Sequence, residues 1–569
     1  MSHTGAINGR VGGLRRSVAP SAVFDRLRSV SRRLGGYRLL LLLVVPGVAF
    51  ALITFVMKQL GIVSWDAPAH LYKIALVQEG QAIFWDNQWY GGAYDVVSYG
   101  FVFYLLAKFL NYTVLVAASA GALPVLFYLY MRRTYGSTSY WPAVALALVL
   151  CAYLANGQDP FVFAMALMMA GMVLLAYRHP LLAVLPAAAS IFANPLAFVV
   201  GAIFLLAEFV SRPERRRTYL RYALFLSPFI AVRLLVGLLF YERASYVYNL
   251  GFVLLFAVFG VVGYVLCRLS QDAQRGAKGT LFLTFSAASL ALAVIPGNPI
   301  GWNVGRFFFL FGVPLLVDIR KIAAPRLVVG ALILGFACGQ VIPPASHYVH
   351  VADLPSTRAA FFTSALAFAG SHYDPDYRFH VVALDTHWEA YYFSISGFPI
   401  TRGWYRQADA LHNEVLSRNF TAPSYVGWLR DMGVQYVFLP HAPLDWSGER
   451  ETAILQSSSA FVKASEGTDW TIYRFLNPSP IAVALNGGRD PDVLGVLHQA
   501  VYLQVPQPGR YLLKVTYSPY WEVTAGSGTL ARSTDGKNFL VLNALGSGFY
   551  GVQVRVTLES SLRELVRVF

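Results

Sequence analysis

The sequence WDAPAHLYK, residues 65–73, lies in a segment from Ser64 to Leu110 that directly follows a long apolar stretch. This segment places Asp66 at the end of the apolar stretch, and Pro68 suits the first turn of a short helix. A carboxylate just ahead of a helix is favoured by the helix dipole, and His70 lies one turn further on the same face. The pattern indicates either a site acid at a membrane edge or a solvated residue in an interfacial loop.

The composition is that of a membrane protein. The chain has 569 residues, of which 56% are hydrophobic and only 13% charged, which is about half the charge of a soluble protein. Its formal net charge is +15, and eight arginines precede Leu39. Because basic residues also cluster in short loops, this charge follows the positive-inside rule and does not indicate nucleic-acid binding. The three cysteines lie in apolar segments, which excludes a disulfide framework and a CxxC metal site.

Apolar segments recur as far as residue 342 and predict a polytopic α-helical membrane protein with about eleven spans. The predicted spans are 39–60, 111–130, 141–154, 161–177, two within 181–208, 219–240, 248–267, 281–295, one that ends near 317, and 327–342. The segment 181–208 is too long for one span, and Asn194-Pro195 breaks it into two short helices. This count places every basic loop and the N-terminus in the cytoplasm and everything after Pro344 outside.

The tail is less apolar and has two predicted parts. Its first part mixes strands and helices, predicted at 379–384, 434–439, 405–418 and 424–432. Its second part alternates apolar and polar residues in short runs separated by turns such as Asp535-Gly536, which is typical of a β-sandwich. The predicted domains are a basic cytoplasmic tail (1–38), a transmembrane domain (39–344), an extracytoplasmic α/β domain (345–480) and an extracytoplasmic β-sandwich domain (481–569).

Two acids stand in predicted outer loops. Asp66 ends the first span, and Asp159 lies in the second outer loop between Gly157 and Pro160. A lone loop acid is more often a turn former or a helix cap, but acids in both loops together favour a site. Three interpretations of His70 are open. It pairs with Asp66, it orients a bound molecule, or it is an ordinary interfacial histidine.

Three arginines are candidates for holding a phosphate. Arg233 lies inside a predicted span, where an arginine is costly and usually functional. Arg243 and Arg306 lie at outer helix ends, where a guanidinium can bind a lipid phosphate through paired hydrogen bonds. The alternative for these two is that their side chains extend to the interface without a ligand.

The sequence indicates no cofactor. It has no Walker loop, Rossmann glycine fingerprint or G-x-S-x-G elbow, which argues against a nucleotide-driven pump and a soluble-type transferase. The histidines from His347 to His387 have no metal-site spacing to carboxylates, so we expect them to be scattered over the surface. We expect no cofactor and find no sign of a divalent-metal requirement.

The first-loop residues resemble those of a known superfamily. The pattern is Asp66, His70-Leu71, Gly80, Trp85, Gly91-Gly92, Tyr99 and Tyr104-Leu105. It resembles the first outer loop of the GT-C superfamily, membrane glycosyltransferases that use polyprenyl-phosphate sugars. The chain is most similar to bacterial membrane proteins labelled pyruvoyl-tetrahydropterin-synthase-related and to the YfhO-like branch. The tail motifs GWYRQ (403–407), the run 429–437 and SPYW (518–521) resemble the outer domain of that group.

The resemblance implies an inverting glycosyltransferase of the bacterial inner membrane. Asp66 would be the general base on the acceptor hydroxyl. Apart from the resemblance, His70 and Asp159 are the further catalytic candidates, with orientation of the acceptor as their expected role. The donor would be a polyprenyl-phosphate-linked sugar and the acceptor an envelope glycan or lipid. Membrane lipids would also be partners, and no nucleic-acid partner is expected. The first loop lacks the paired Asp-Glu or Asp-x-Asp of the superfamily. The alternative is therefore a non-catalytic membrane scaffold, transporter or glycan-binding protein that works through its extracytoplasmic domains.

Overall fold

Helices make up most of the chain as far as residue 351. The computed structural model of the protein describes residues 41, 44–56, 64–80, 84–97, 99–240, 250–295, 300–319, 322, 326–351, 354–417 and 419–568. The first elements are α1 (Val44–Val56), α2 (Ala67–Gln78), β1 (Trp85–Asp86), β2 (Ala93–Tyr94), α3 (Phe101–Phe109), α4 (Tyr112–Tyr135), α5 (Trp141–Ala155), α6 (Asp159–Ala176), α7 (Pro180–Ala193), α8 (Pro195–Ser211), α9 (Arg216–Leu239), α10 (Leu250–Leu269), α11 (Arg275–Ala293), α12 (Arg306–Val317) and α13 (Arg326–Val351).

Six of these helices are candidates for membrane spans. In the described part of the chain, α4, α6, α9, α10, α11 and α13 are long and apolar enough to cross a membrane, and α1, α5, α7, α8 and α12 are shorter apolar helices. Each of the eleven predicted segments overlaps one of these helices. Because the shorter helices fall below the roughly 20 residues that a span needs, the number of spans and their orientation stay predictions.

The predicted break at Asn194-Pro195 is confirmed. Helix α7 ends at Ala193 and α8 begins at Pro195, and the Asn194 side chain accepts a hydrogen bond from the backbone N–H of Leu196 at 3.0 Å. The Asn194 Nδ2 atom also donates to the hydroxyl of Tyr99 at 2.9 Å. The break therefore caps α8 and contacts the first-loop segment at Tyr99.

Ring packing and close helix contacts hold the bundle together. The rings of Phe259 and Phe308 meet edge to face with their centroids 4.8 Å apart. A Cβ atom at Gly263 would lie 2.1 Å from the ring of Phe282, so α10 and α11 approach more closely than any larger residue there allows. Such close packing matters because lipid supplies no hydrophobic force between helices.

A mixed sheet with helices follows. Its elements are α14 (Ala359–His372), β3 (Arg378–Val381), α15 (Trp388–Ile395), α16 (Arg406–His412), α17 (Ala422–Met432), β4 (Val434–Pro440), α18 (Gly448–Ser457), β5 (Phe461–Glu466) and β6 (Trp470–Phe475). The strand order is β3-β4-β6-β5, with β3 and β4 parallel and the other pairs antiparallel. The predicted strands and the second predicted helix correspond to β3, β4 and α17.

The helix predicted over 405–418 is wrong in length. Helix α16 ends at His412, and a 3₁₀ turn, Glu414–Ser417, follows it. Between them the buried Asn413 side chain donates to the Thr401 carbonyl at 3.0 Å and to Asp409 Oδ1 at 2.8 Å. Such bonds, one within the last turn and one to a residue outside the helix, compete with continued helix.

Two antiparallel sheets and a final helix complete the described chain. The elements are β7 (Ala482–Ala484), β8 (Asp492–Leu497), β9 (Ala500–Val505), β10 (Gly509–Thr516), β11 (Trp521–Ala525), β12 (Gly528–Arg532), β13 (Phe539–Ala544), β14 (Gly548–Val554) and α19 (Leu558–Val568). The sheet orders are β12-β13-β10-β7 and β11-β14-β9-β8. Buried side chains of both sheets form one apolar cluster.

The segment 64–97 contributes to three apolar cores. On α2, Ile74 and Val77 belong to the core of the helix bundle, and Tyr72 belongs to the core around the mixed sheet. Trp85, in β1, belongs to the core of the two antiparallel sheets. Most side chains of α2, including the polar His70 and Lys73, are buried because the helix lies between two cores.

Hydrogen bonds reinforce this position of the segment. The backbone N–H of Asn87 donates to the His498 carbonyl at 2.8 Å, and the N–H of Thr516 donates to the Gly91 carbonyl at 2.8 Å. The Trp89 indole donates to the Ala390 carbonyl at 3.0 Å. The segment is therefore bonded to the mixed-sheet region and to the two antiparallel sheets.

We predict that Trp89→Ala destabilises the fold strongly. The Trp89 ring is buried and stacks on Tyr72 with centroids 4.6 Å apart, and removal of a buried tryptophan typically costs about 3–5 kcal/mol. Thermal melting of the purified protein in detergent measures the loss. Trp446→Ala is the control, because Trp446 is 49% exposed. Equal melting shifts in the two variants would contradict the role of Trp89.

Candidate functional site

Asp66 lies at the meeting point of the helix bundle and the mixed-sheet region. It is half-buried and precedes α2, but its side chain makes no capping bond to that helix. Instead its Oδ2 atom accepts a hydrogen bond from Gln158 Nε2 at 2.7 Å, and its Oδ1 atom accepts one from Trp404 Nε1 at 3.1 Å. Two of the four acceptor positions of the carboxylate are thereby used by described residues.

Gln158 connects Asp66 to Arg306. The Arg306 Nη1 atom donates to Gln158 Oε1 and to the Tyr153 hydroxyl, the latter at 3.1 Å. An arginine only donates and an ionised carboxylate only accepts, so the amide must present its oxygen to Arg306 and its nitrogen to Asp66. Among the described residues no acid forms an ion pair with Arg306, whose Nη2 atom donates to none of them.

The loop that carries Gln158 packs directly on Asp66. Gly157 has a φ of +78°, and a Cβ atom there would lie 2.8 Å from Ser64 Oγ and 3.0 Å from the Asp66 backbone nitrogen. This position therefore requires both the conformational freedom and the small size of glycine.

His70 holds this loop and does not pair with Asp66. Its Nε2 atom lies 2.9 Å from the Gly157 carbonyl, and its Nδ1 atom lies 2.8 Å from the Tyr104 hydroxyl. Because a carbonyl only accepts, Nε2 carries the proton and Nδ1 accepts the Tyr104 hydroxyl in the neutral ring. Burial lowers the pKa of His70 to about 3, and the charges of Lys73 and Arg306 act in the same direction. His70 is therefore neutral at physiological pH.

Asp159 is the more enclosed of the two acids. It begins α6, with Pro160 at the first turn, and only 3% of its surface is exposed. Its Oδ2 atom accepts a hydrogen bond from Tyr112, and its Oδ1 atom has no hydrogen-bond partner among the described residues. Asp159 and Asp66 are close enough to interact electrostatically. A reacting molecule reaches Asp66 more easily, because that residue is only half-buried.

Burial tunes the acidity of Asp66. Loss of water contact raises its pKa to about 6, although the positive charge of Arg306 and the hydrogen bond from Trp404 oppose the shift. A carboxylate with this pKa is ionised at neutral pH and is a better proton acceptor than an ordinary aspartate.

The structure brings four of the six predicted site residues together. These are Asp66, His70, Asp159 and Arg306. Arg233 lies on α9 near Gly237, and Arg306 rather than Arg233 is the arginine whose charge acts on Asp66. Arg243 lies outside the described residues.

Three residues that form hydrogen bonds with Asp66 or Arg306 were not predicted from the sequence as site residues. Gln158 and Tyr153 lie beside the second-loop acid, but neither residue type signals a site by itself. Trp404 belongs to the tail motif GWYRQ, 338 positions after Asp66. The aromatic motif was visible, but only the tertiary structure places its indole on the carboxylate.

A buried ion pair lies one turn along α2 from His70. Lys73 Nζ is 2.5 Å from Asp95 Oδ1, and it lies 4.8 Å from the centre of the Tyr405 ring. Because Tyr405 directly follows Trp404, this contact also positions the residue that donates to Asp66. The pair therefore serves the architecture around the site.

Within the described residues no group of three or more histidine, cysteine and acidic side chains can hold a metal ion. The prediction of surface histidines is wrong for two of the tail residues. His380 is buried with its Nε2 atom 2.6 Å from Glu451 Oε2. His387 is buried against Trp404, with ring centroids 4.1 Å apart.

A large apolar cavity lies elsewhere in the bundle. It has a volume of about 830 Å³ and is lined by α1 and by the start of α5, including Val45, Trp141 and Leu148. The loop with Gln158 follows the other end of α5. This cavity is therefore not part of the Asp66 site.

Comparison with known proteins gives structural neighbours only. No protein-family model and no curated protein matches the sequence. The chain is similar to two cryo-EM structures of the arabinofuranosyltransferase AftD from Mycobacteria, one of them a mutant, with TM-scores of 0.43 and 0.44 and sequence identities of 14% and 12%. The alignments cover 84% and 85% of this chain but 41% and 43% of AftD, so the chain spans about two fifths of its length.

Both neighbours are structures of an arabinofuranosyltransferase. A likeness with these scores carries no inference about the activity or the individual residues of this chain.

We predict that Gly157→Ala disturbs the site more than Gly80→Ala. Both glycines have left-handed backbones, with φ values of +78° and +75°, so both variants carry the same strain of about 1–2 kcal/mol. Only at Gly157 does the added methyl group collide with Ser64 and Asp66, whereas nothing lies within 4 Å at Gly80. Melting temperatures in detergent should fall further for Gly157→Ala. Equal shifts would show that the loop does not depend on contact with Asp66.

Proposed function

We propose that the chain is an inverting GT-C-type membrane glycosyltransferase that transfers a sugar from a polyprenyl-phosphate donor to an envelope glycan or lipid. The observation that carries this proposal is the connection from Asp66 through Gln158 to Arg306. It places a half-buried acid of raised pKa near an arginine that no described acid neutralises. General-base transfer from a phosphate-linked donor needs these two groups.

In this mechanism Asp66 takes the proton of the acceptor hydroxyl as the acceptor oxygen bonds to the anomeric carbon. The bond from that carbon to the phosphate oxygen breaks, and its electron pair leaves with the polyprenyl phosphate. A single displacement of this kind inverts the anomeric centre. Arg306 would bind the departing phosphate and stabilise the charge that develops on it.

Gln158 gives the acid and the arginine separate roles. A direct ion pair would lower the pKa of Asp66 and occupy the guanidinium. With an amide between them, the positive charge of Arg306 lowers the pKa of Asp66 by less than burial raises it. Asp66 thus stays basic, and Arg306 keeps hydrogen-bond donors for a phosphate.

The proposal includes an orientation in the bacterial inner membrane. The basic loops support a cytoplasmic N-terminus and a transmembrane domain over 39–344 with about eleven spans. The α/β domain (345–480) and the β-sandwich domain (481–569) would lie outside. Asp66, which contacts Trp404 of the first of these domains, would then act at the outer face of the membrane.

One observation favours the non-catalytic alternative. Both oxygens of Asp66 already accept hydrogen bonds from Gln158 and Trp404, as a structural acid would. In that case the chain is a membrane scaffold, transporter or glycan-binding protein. Transfer assays with a panel of polyprenyl-phosphate sugars distinguish the two functions.

We predict that Asp66→Asn lowers sugar transfer by about 10²–10⁴-fold, the usual contribution of a general base. Asp66 must be ionised to accept a proton, so wild-type activity should rise with pH through the pKa of about 6. The charged or titratable groups around it are Arg306, Asp159, the neutral His70 and four tyrosines, Tyr99, Tyr112, Tyr153 and Tyr405. The activity of Asp66→Asn should not show this rise with pH, because asparagine has no carboxyl proton to release near pH 6.

Asp159→Asn is the matched control for this prediction. It removes the second acid of the same site and should cost less activity, since Asp159 only orients the acceptor. The folded state is checked by melting temperature in each variant. Transfer by Asp66→Asn at the wild-type rate would remove Asp66 as the base.

We predict that Arg306→Ala weakens donor binding by roughly tenfold to hundredfold, because hydrogen bonds to charged groups contribute about 1.5–3 kcal/mol. Arg306→Lys should restore binding only in part, since an ammonium keeps the charge but loses the paired geometry. Equilibrium binding of a polyprenyl-phosphate sugar measures both. Arg233→Ala is the control and should bind the donor like wild type. A larger loss of donor affinity in Arg233→Ala than in Arg306→Ala would assign phosphate binding to α9.

A further inference from the structure

The last helix of the described chain has an exposed apolar stripe. In α19, Leu558 is 80% exposed, Leu562 53% and Val566 80%. These residues are four apart, so they lie on one face over three turns. The exposed neighbours Glu559, Arg563 and Arg567 lie on the adjoining face. The helix is therefore strongly amphipathic, and its apolar face is not covered by the rest of the described protein.

The other side of α19 faces the protein. Ser560 is buried, and Ser561, Glu564 and Leu565 are partly buried. The Ser561 side chain interacts with Tyr520. Mostly polar residues of α19 face the protein, so the apolar residues of this helix are not used to pack against the rest of the fold.

Helix α19 lies beside the end of a candidate membrane span. The helix packs against α9, a candidate membrane span that ends at Leu239. The Tyr520 hydroxyl, which interacts with Ser561, also donates to the Leu239 carbonyl at 3.3 Å. Near the same end of α9, Leu234 and Leu238 are 64% and 44% exposed. Exposed apolar side chains therefore lie both on α19 and near the end of the candidate span that it packs against.

We propose that α19 lies in the surface of the bilayer beside the end of α9. Its occupant is lipid: Leu558, Leu562 and Val566 enter the boundary between headgroups and acyl chains. Arg563 and Arg567 remain at the level of the phosphates, as in other interfacial helices. The helix would hold the two antiparallel sheets against the membrane at a fixed distance. This inference is independent of any enzymatic activity of the chain.

Depth-dependent quenching tests the proposal. A bimane label is attached to Leu562→Cys, Val566→Cys or Arg563→Cys in the full chain with Cys151, Cys267 and Cys338 replaced by alanine. The protein is placed in nanodiscs with or without phospholipids brominated on their acyl chains. Quenching at positions 562 and 566 should be at least twofold greater than at 563. Equal quenching at all three positions would overturn the proposal.

A second measurement uses the unchanged protein. Nanodiscs that contain a phospholipid with a photoreactive acyl chain are irradiated, and lipid adducts are mapped by mass spectrometry. Adducts should form on 558–566 as well as on α9, which is the internal positive control. Adducts on α9 alone would overturn the proposal. Energy transfer between two labelled chains together with weak lipid quenching would also overturn it, because a second copy would then cover the stripe.

Discussion

The burial of residues 64–77 and 84–97 between three apolar cores is the constraint on which the other features depend. Tyr72 packs with the mixed-sheet region, Ile74 with the helix bundle and Trp85 with the two antiparallel sheets. If these contacts were lost, Asp66 would keep its place after α1 but lose the indole of Trp404. The same burial that joins the helix bundle to the two sheet regions also removes water from Asp66 and raises its pKa to about 6.

The site combines opposite charges without a direct ion pair. The side-chain amide of Gln158 donates a hydrogen bond to Asp66 and accepts one from Arg306. A buried ion pair would have stabilised both charges and made both groups less reactive. The tight fit of Gly157 against Asp66 keeps this spacing fixed, because the loop cannot approach more closely or rotate freely.

Local chemistry explains which features were predictable from the sequence. The break at Asn194 was predictable because asparagine caps a helix and proline cannot continue one. Asp66, Asp159 and Arg306 were predictable as candidates because charged residues at the ends of apolar segments are few. The helix over 405–418 was predicted too long, since its end depends on the bond from Asn413 to the distant carbonyl of Thr401.

By itself, the sequence determined the membrane character, the apolar helices and the acids that end them, because hydropathy and charge act locally along the chain. Only the tertiary structure decided which of these residues meet. Arg306 approaches Asp66 and Arg233 does not, His70 binds the loop carbonyl of Gly157, and Trp404 arrives from the tail. These contacts join residues up to 338 positions apart. They depend on how whole helices and sheets pack, and no local pattern records that packing.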